Sequence, residues 1–346
     1  MKKFLALSLA LMMSLSLAAC GNSTPSSSAG TSGSSTSASA SAAQPRVLRL
    51  STHLSAEHGC VKMAQKFSEL LQSKTNGSLS IDIYTDGQLG GQTENCEALK
   101  SGSVDMTIVD TGTLANYEPK MGILDMPYVF ASKDQAIAVA AGEIGQGLMD
   151  TVTTSTGIRP VSLQAVMFRN TLLKDKEVTT PADFKGVKVR IPENPSIEAC
   201  FTALGATPVA IPSGEAYTAV QTGVTNGLEG NLEFIAQQKY YEVANVCSMT
   251  EHVMTFTAMC VSESVYESLT PDQQTAFDEA AAEAMDYFYP LYQTIESDSR
   301  KVMEDAGVKF HEVDKDSMIA ACTPTLQAFV EKNDLQSVYD AINALK

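Results

Sequence analysis

The sequence predicts an α/β fold of two lobes, with one long helix near the C-terminus that touches both. Three observations carry this. From residue 47 onward, short apolar runs with strand alternation take turns with segments of helical period, the rhythm of a parallel or mixed sheet covered by helices. The chain has 346 residues, a length that two such sheets fit better than one. A capped helical stripe of thirty-odd residues starts at Thr270 and is long enough to reach across two lobes.

The first forty-five residues are address and tether. Lys2 and Lys3 precede an apolar stretch from Phe4 to Ala19, the layout of a secretory signal rather than a membrane span. Leu17-Ala18-Ala19-Cys20 resembles the bacterial lipobox, in which the cysteine is acylated and becomes the mature N-terminus. Residues 21–45 carry no charge and almost nothing that can be buried, so they predict a flexible Ser/Ala/Gly tether. Its reach is on the order of 25–30 Å, suited to holding a globular body just off a membrane.

Residues 47–51 read as a first strand. Met63, Phe67, Leu70 and Leu71 then form the stripe of an amphipathic helix over 57–75, ended by Gly77. LSIDIY at 79–84 alternates cleanly as a second strand, a short helix follows to about Lys100, and 104–110 is a third strand. Further strands are expected at 158–163, 187–191, 207–211 and 252–261, separated by helical segments. Thr270-Pro271-Asp272-Gln273 starts the long helix: Thr as N-cap, Pro in the first turn, Gln closing a capping box. Phe277, Ala281, Ala284, Phe288, Leu291, Ile295 and Val302 continue its stripe up to Gly307, a rod of roughly 50 Å. Pro290 lies inside it, so the segment is either one bent helix or two meeting there; the unbroken stripe favours one.

Composition removes several functions. With 44% apolar residues the chain can offset its ordering entropy over most of its length. A net charge of −16 argues against nucleic-acid binding, and the absence of Trp against an indole platform for sugars. Beyond the leader no apolar run is long enough to span a bilayer. No GxSxG elbow, Walker loop or strand-linked GxGxxG occurs, so an enzyme has no positive support and no cofactor is implied. The four histidines (His53, His58, His252, His311) and six body cysteines (Cys60, Cys96, Cys200, Cys247, Cys260, Cys322) form no metal-ligand pattern. Outside the cytoplasm up to three disulfides are open to those cysteines, with buried free thiols the favoured reading.

GSLSIDIYTDGQLGGQTENCEALKSGSVDM (77–106) resembles the early signature of the solute-binding proteins of TRAP (tripartite ATP-independent periplasmic) transporters, DctP type. The likeness continues through LANYEPKMGILDMPYVF (114–130), TTPADFKGVKVRIPENP (179–195) and EAYTAVQTGVTNGLEG (215–230), in order, and through the long helix after YESLTPDQQ. It covers nearly everything from about residue 47. It implies a two-lobed, periplasmic-binding-protein-like trap that closes over a small organic acid, with the long helix spanning both lobes. The expected division is signal peptide 1–19, lipidated tether 20–45, lobe I at 46–166 plus 256–295, and lobe II at 167–255 plus 296–346.

The family's anion-clamping arginine matches Arg190, whose other reading is a surface or salt-bridged residue. The residues agree: Arg190 ends an apolar strand before Pro192, where α/β crevices open, and a guanidinium meets a carboxylate through two parallel hydrogen bonds. Arg169 matches an assisting arginine; its other reading is a solvated loop residue. His53 falls where relatives offer a polar side chain, or else packs or caps. Asp110 either accepts bonds from ligand or caps the next helix, and Tyr217 either touches ligand or packs. The family's Asp and Asn in its DGxEN run are replaced here by Asn226 and Gly230, and Asn231 is expected to supply the missing amide. The resemblance further implies delivery of the cargo to membrane permease subunits driven by an ion gradient; a monomer is expected, and the lipobox and acidic charge imply attachment to the membrane only through the Cys20 lipid. Two alternatives stand beside it: a similar binder serving a sensor or another uptake system, and an exported hydrolase.

Overall fold

A computed structural model describes residues 45–346. The signal sequence, Cys20 and all but the last residue of the tether lie outside the described residues. The chain begins β1 (Arg46–Thr52), α1 (Gly59–Lys74), β2 (Leu79–Tyr84), α2 (Gln92–Ser101), β3 (Met106–Asp110) and α3 (Thr111–Leu114). A 3₁₀ segment (Pro119–Asp125), α4 (Lys133–Ala141) and α5 (Glu143–Thr156) lead to β4 (Ile158–Leu173). A second weave follows: β5 (Lys188–Ile191), α6 (Pro195–Ala203), β6 (Thr207–Ala210), α7 (Ser213–Thr222), β7 (Gly227–Asn231) and α8 (Leu232–Gln237). The remainder is β8 (Val246–Ser248), β9 (Met254–Ser262), α9 (Glu263–Glu267), α10 (Pro271–Asp305), β10 (Lys309–His311), α11 (Lys315–Lys332) and α12 (Gln336–Asn343).

The two expected sheets share a strand. The path runs β2-β1-β3-β9-β4-β7-β5-β6, with β8 and β10 beside the far end of β4. The stretch of β4 from Ile158 to Phe168 pairs antiparallel with β9, and Arg169–Leu173 pairs with β7 and β8. A register shift between Ala165 and Phe168 marks the changeover. Sequence reading ended this strand at 163, whereas it runs for 16 residues. Its second half is buried on both faces, so the alternation that reveals a half-buried strand is missing. The pattern also hid β7, because GLEGN has little strand propensity. Gly227 is required there: a Cβ would lie 2.1 Å from the Leu172 carbonyl oxygen.

The long helix forms as one element of 35 residues with Pro290 inside it. Its capping box is complete: Gln273 N donates to Thr270 Oγ1 at 3.3 Å and Thr270 N to Gln273 Oε1 at 3.1 Å. Phe277, Ala281, Ala284 and Phe288 are buried as expected. After Phe288 the buried row steps by four to Tyr292, and on to Ser299 and Met303, leaving Leu291 off it and Val302 47% exposed. α1 packs on α10 through Phe67 and Phe277, ring centroids 5.0 Å apart and edge-on. One turn past Phe288, Tyr292 donates its hydroxyl to Glu233 of α8 at 2.6 Å. Glu233 in turn accepts from the first amide of α1, Gly59 N, at 2.9 Å. The rod therefore touches elements of both weaves.

The six body cysteines are buried and free. Burial pushes the thiols of Cys60, Cys96 and Cys247 up to about 12, so they are protonated and shielded at neutral pH. A chromogenic disulfide reagent is expected to titrate none of these six in the native protein within minutes, and all six after unfolding in guanidinium. Rapid native reaction of two or more would contradict this packing.

Candidate functional site

The ends of the strands bring the site together. His53 follows β1, Asp110 ends β3, Arg190 lies near the end of β5, and Asn231 ends β7, so the carboxyl ends of parallel strands from both weaves face one crevice. A cleft of about 360 Å³ opens there, lined by His53, Gln92, Thr113, Arg190, Ser213 and Gln238 among others. Beneath it is a small pocket of about 20 Å³ reached by His53, Asp110, Arg169, Arg190, Asn231 and Thr255. His53 and Arg190 line both.

The two arginines differ in kind. Arg169, on β4, is 6% exposed and forks onto Glu229 of β7: Nε to Oε2 at 2.5 Å, Nη2 to Oε1 at 2.7 Å. Glu229 also accepts from His252 Nε2 at 3.2 Å, and the His252 Nδ1 lies 2.9 Å from Thr250 Oγ1. Burial would raise the Glu229 pKa, but the Arg169 charge and these bonds override it and hold the carboxyl at about 2. Arg169 is thus a buried, neutralised strand residue rather than a solvated loop one. Arg190 is 1% exposed and has no carboxylate partner among the described residues. Its Nε donates to the Ile211 carbonyl at 2.8 Å and its Nη2 to Ser213 Oγ at 3.4 Å. Burial pulls its pKa below the usual value, yet a guanidinium stays charged at any physiological pH. A buried positive charge without a counterion, facing a crevice, is a site for an anion.

Helix ends add to that field. α2 and α7 each start without a side-chain cap, and their first residues, Gln92-Thr93 and Ser213-Gly214-Glu215, line the cleft. Uncapped amide groups at a helix start favour negative charge. Asp86, Glu94, Glu193 and Glu215 stand around the same cleft, so only part of it welcomes an anion and the rest accepts hydrogen bonds.

The other expected residues divide. Asp110 faces the small pocket and does not cap α3 with its side chain. Gln92 fixes it, accepting from Asp110 N at 2.6 Å and donating to Asp110 Oδ2 at 3.1 Å. His53 caps nothing: its Nδ1 is buried without a partner, and burial lowers its pKa to about 4, so it meets the cleft as a neutral ring. Asn231 reaches the pocket, but its amide is engaged: Oδ1 accepts from Phe234 N at 2.9 Å as the cap of α8, and Nδ2 donates to Thr255 Oγ1 at 3.3 Å. Tyr217 does not join them. Half-buried on α7, it packs against the core and donates its hydroxyl to Glu242 at 3.0 Å, while the first turn of the helix supplies the cleft residues. Sequence reading missed His58, which caps α1 through Nδ1 and lines the pocket, and Gln92, Ser213 and Glu229. Gln92, Ser213 and Glu229 act through partners distant in sequence, as does His58 where it reaches Glu233 at 3.3 Å, a signal that local patterns do not contain; the His58 cap on Cys60 N is local.

Comparison with known proteins finds matches over most of the chain. The profile of DctP, described as bacterial extracellular solute-binding protein, family 7, matches residues 50–333. A solute-binding protein of Roseobacter denitrificans is 32% identical over 298 residues, spanning 84% of this chain and 91% of that protein. The C4-dicarboxylate-binding periplasmic protein DctP of Rhodobacter capsulatus is 29% identical over 86% of this chain and 90% of its own length. Among solved structures, a TRAP periplasmic solute-binding protein from Xanthobacter autotrophicus with bound β-D-galacturonate superposes with a TM-score of 0.83 at 28% identity, covering 86% of this chain and all of that one. Its likeness extends to the two-lobed fold.

Proposed function

The chain belongs to bacterial extracellular solute-binding protein family 7, and on that premise we propose that its cleft captures a sugar acid, with one carboxylate on Arg190 and hydroxyl groups along the acidic wall. As a member of that family it is an extracytoplasmic solute-binding protein rather than an enzyme, and it hands a small organic acid to a TRAP membrane permease. Among the described residues no helix is long and apolar enough to cross a membrane.

The observation that carries the ligand reading is the contrast between the arginines. Glu229 neutralises Arg169, so a single buried guanidinium remains for a single carboxylate. A second carboxylate would face Asp86, Glu94, Glu193 or Glu215, whereas a hydroxyl donates to them. The galacturonate bound by the Xanthobacter protein has this composition. Arg190, Asp110 and His53 are assigned to ligand contact, with Asn231 and Arg169 behind them. The lobes are taken as 46–166 plus 256–295 and 167–255 plus 296–346, although Leu326, Val330, Leu335 and Ile342 pack with residues of the first. Acylation of Cys20 and the tether would hold a monomer at the membrane surface.

A thermal-shift screen of small organic acids tests the reading. D-Galacturonate at about 100 times its dissociation constant should stabilise by about 2.7 kcal/mol, roughly 5 °C, and succinate should do so far less. A larger shift with succinate, or none with any acid, would overturn it.

A further inference from the structure

Three residues beyond Ile191, at Asn194, the chain crosses to the other weave. Asn194 is 5% exposed and does two things. Its Oδ1 caps α6, accepting from Ser196 N at 2.9 Å and Ile197 N at 3.2 Å. Its Nδ2 donates to Asp125 Oδ1 at 2.9 Å, at the end of the 3₁₀ segment. It sits directly over Gly112 of α3, where an added Cβ would lie 1.8 Å from Nδ2. Neighbours reinforce the crossing. Asn116 Nδ2 donates to the Glu193 carbonyl at 3.2 Å, Thr93 Oγ1 to Glu193 Oε2 at 2.7 Å, and Ser196 Oγ to the Gly122 carbonyl at 3.1 Å.

Asp125 is 3% exposed and its Oδ2 lies 2.6 Å from Thr111 Oγ1, which in turn is 3.3 Å from the Phe256 carbonyl. The Thr111 hydroxyl has one proton for two acceptors, Asp125 Oδ2 and the Phe256 carbonyl; a protonated Asp125 would donate to Thr111 and leave that proton to Phe256, while Asn194 donates to Asp125 Oδ1. Asp110 and Arg169 are the charged groups that act on it, and burial raises its pKa to about 7.

We propose that Asn194 is a positioning residue for ligand capture: seated over bare Gly112 and bonded to Asp125, it locks the end of β5, and with it Arg190, against the first weave when the lobes close. The inference rests on Arg190 as the anion anchor. Ligand binding drawn from both lobes then shifts the population toward the latched form, and the latch in turn holds the guanidinium in place.

The test uses the purified full chain with D-galacturonate as probe. Gly112→Ala, which only places a methyl group in the seat, and Asn194→Ser, which keeps a cap but removes the donor, are each expected to weaken binding at least ten-fold. Both should leave the ligand-free melting midpoint near the wild-type value, while ligand-induced compaction in small-angle scattering is lost. Asp125→Asn, which preserves both hydrogen bonds, should retain affinity. The wild type should bind about ten-fold tighter at pH 6 than at pH 8, since closure holds Asp125 neutral, and Asp125→Asn should flatten that slope. Wild-type affinity in both of the first two variants overturns the proposal, as does a large fall in the ligand-free midpoint of Gly112→Ala, which would make the contact permanent. A wild-type chain that ignores D-galacturonate overturns the sugar-acid reading alone, and the ligand-free midpoint then decides the latch.

Discussion

Arg190→Ala is expected to abolish measurable capture of the acid while the protein keeps its fold. Truncating one partner of a buried, hydrogen-bonded charge pair costs about 2–5 kcal/mol, a loss of roughly 30- to 5,000-fold in affinity. The fold itself has little to lose. The guanidinium is 1% exposed without a carboxylate partner, and among the described residues its hydrogen bonds go to the Ile211 carbonyl and Ser213 Oγ. Removing an unpaired buried charge relieves a desolvation cost that offsets those two bonds. Calorimetric titration and a melting curve of the same sample check both halves. Arg190→Lys should recover only part of the affinity, since an ammonium restores the charge but not the two-pronged geometry. Undiminished binding in Arg190→Ala would remove the anion anchor from its assigned place.

The place of Arg190 beside the cleft was legible because its strand is marked locally. Val187, Val189 and Ile191 mark a strand, Pro192 ends it, and α/β crevices open at the carboxyl ends of such strands; its proposed role came from the family pattern. The capping box of α10 is equally local, four consecutive residues, and it forms as read. Arg169 was harder. Its pairing depends on Glu229, sixty residues away, and on β4 running on past Leu163 through a stretch whose burial on both faces erases the period-two signal. The family pattern located Tyr217 and Asn231 by position, but position does not say which way a side chain turns. A helix start places Ser213 in the cleft and turns Tyr217 toward Glu242, and the need to cap α8 engages Asn231. Glu233, and the contact His58 makes with it, are invisible locally for the same reason: they gain meaning only when α1, α8 and α10 meet.

The second large effect is on stability. Glu229→Gln is expected to cost about 3–5 kcal/mol at pH 7, because it leaves Arg169 as a buried cation without its counterion. For a chain of this size that is a fall in melting midpoint of roughly 6–15 °C. The shape of the side chain is kept, but its chemistry conflicts with the site. One oxygen can still accept from His252 Nε2, and the new amide then turns its own N–H groups toward the guanidinium donors of Arg169. Acid should reproduce the effect in the wild type. The Glu229 pKa lies well below the ordinary 4.5, at about 2 in the fold, so its contribution is complete above pH 4.5 and drains away as pH falls toward 2. A depression of that size corresponds to about 3 kcal/mol, in line with the mutational figure. Urea melts at pH 7, 4 and 3 should therefore show the gap between wild type and Glu229→Gln narrowing with acidity. A gap that stays constant across that range, or is absent at pH 7, would mean that Arg169 is held by packing rather than by its charge partner.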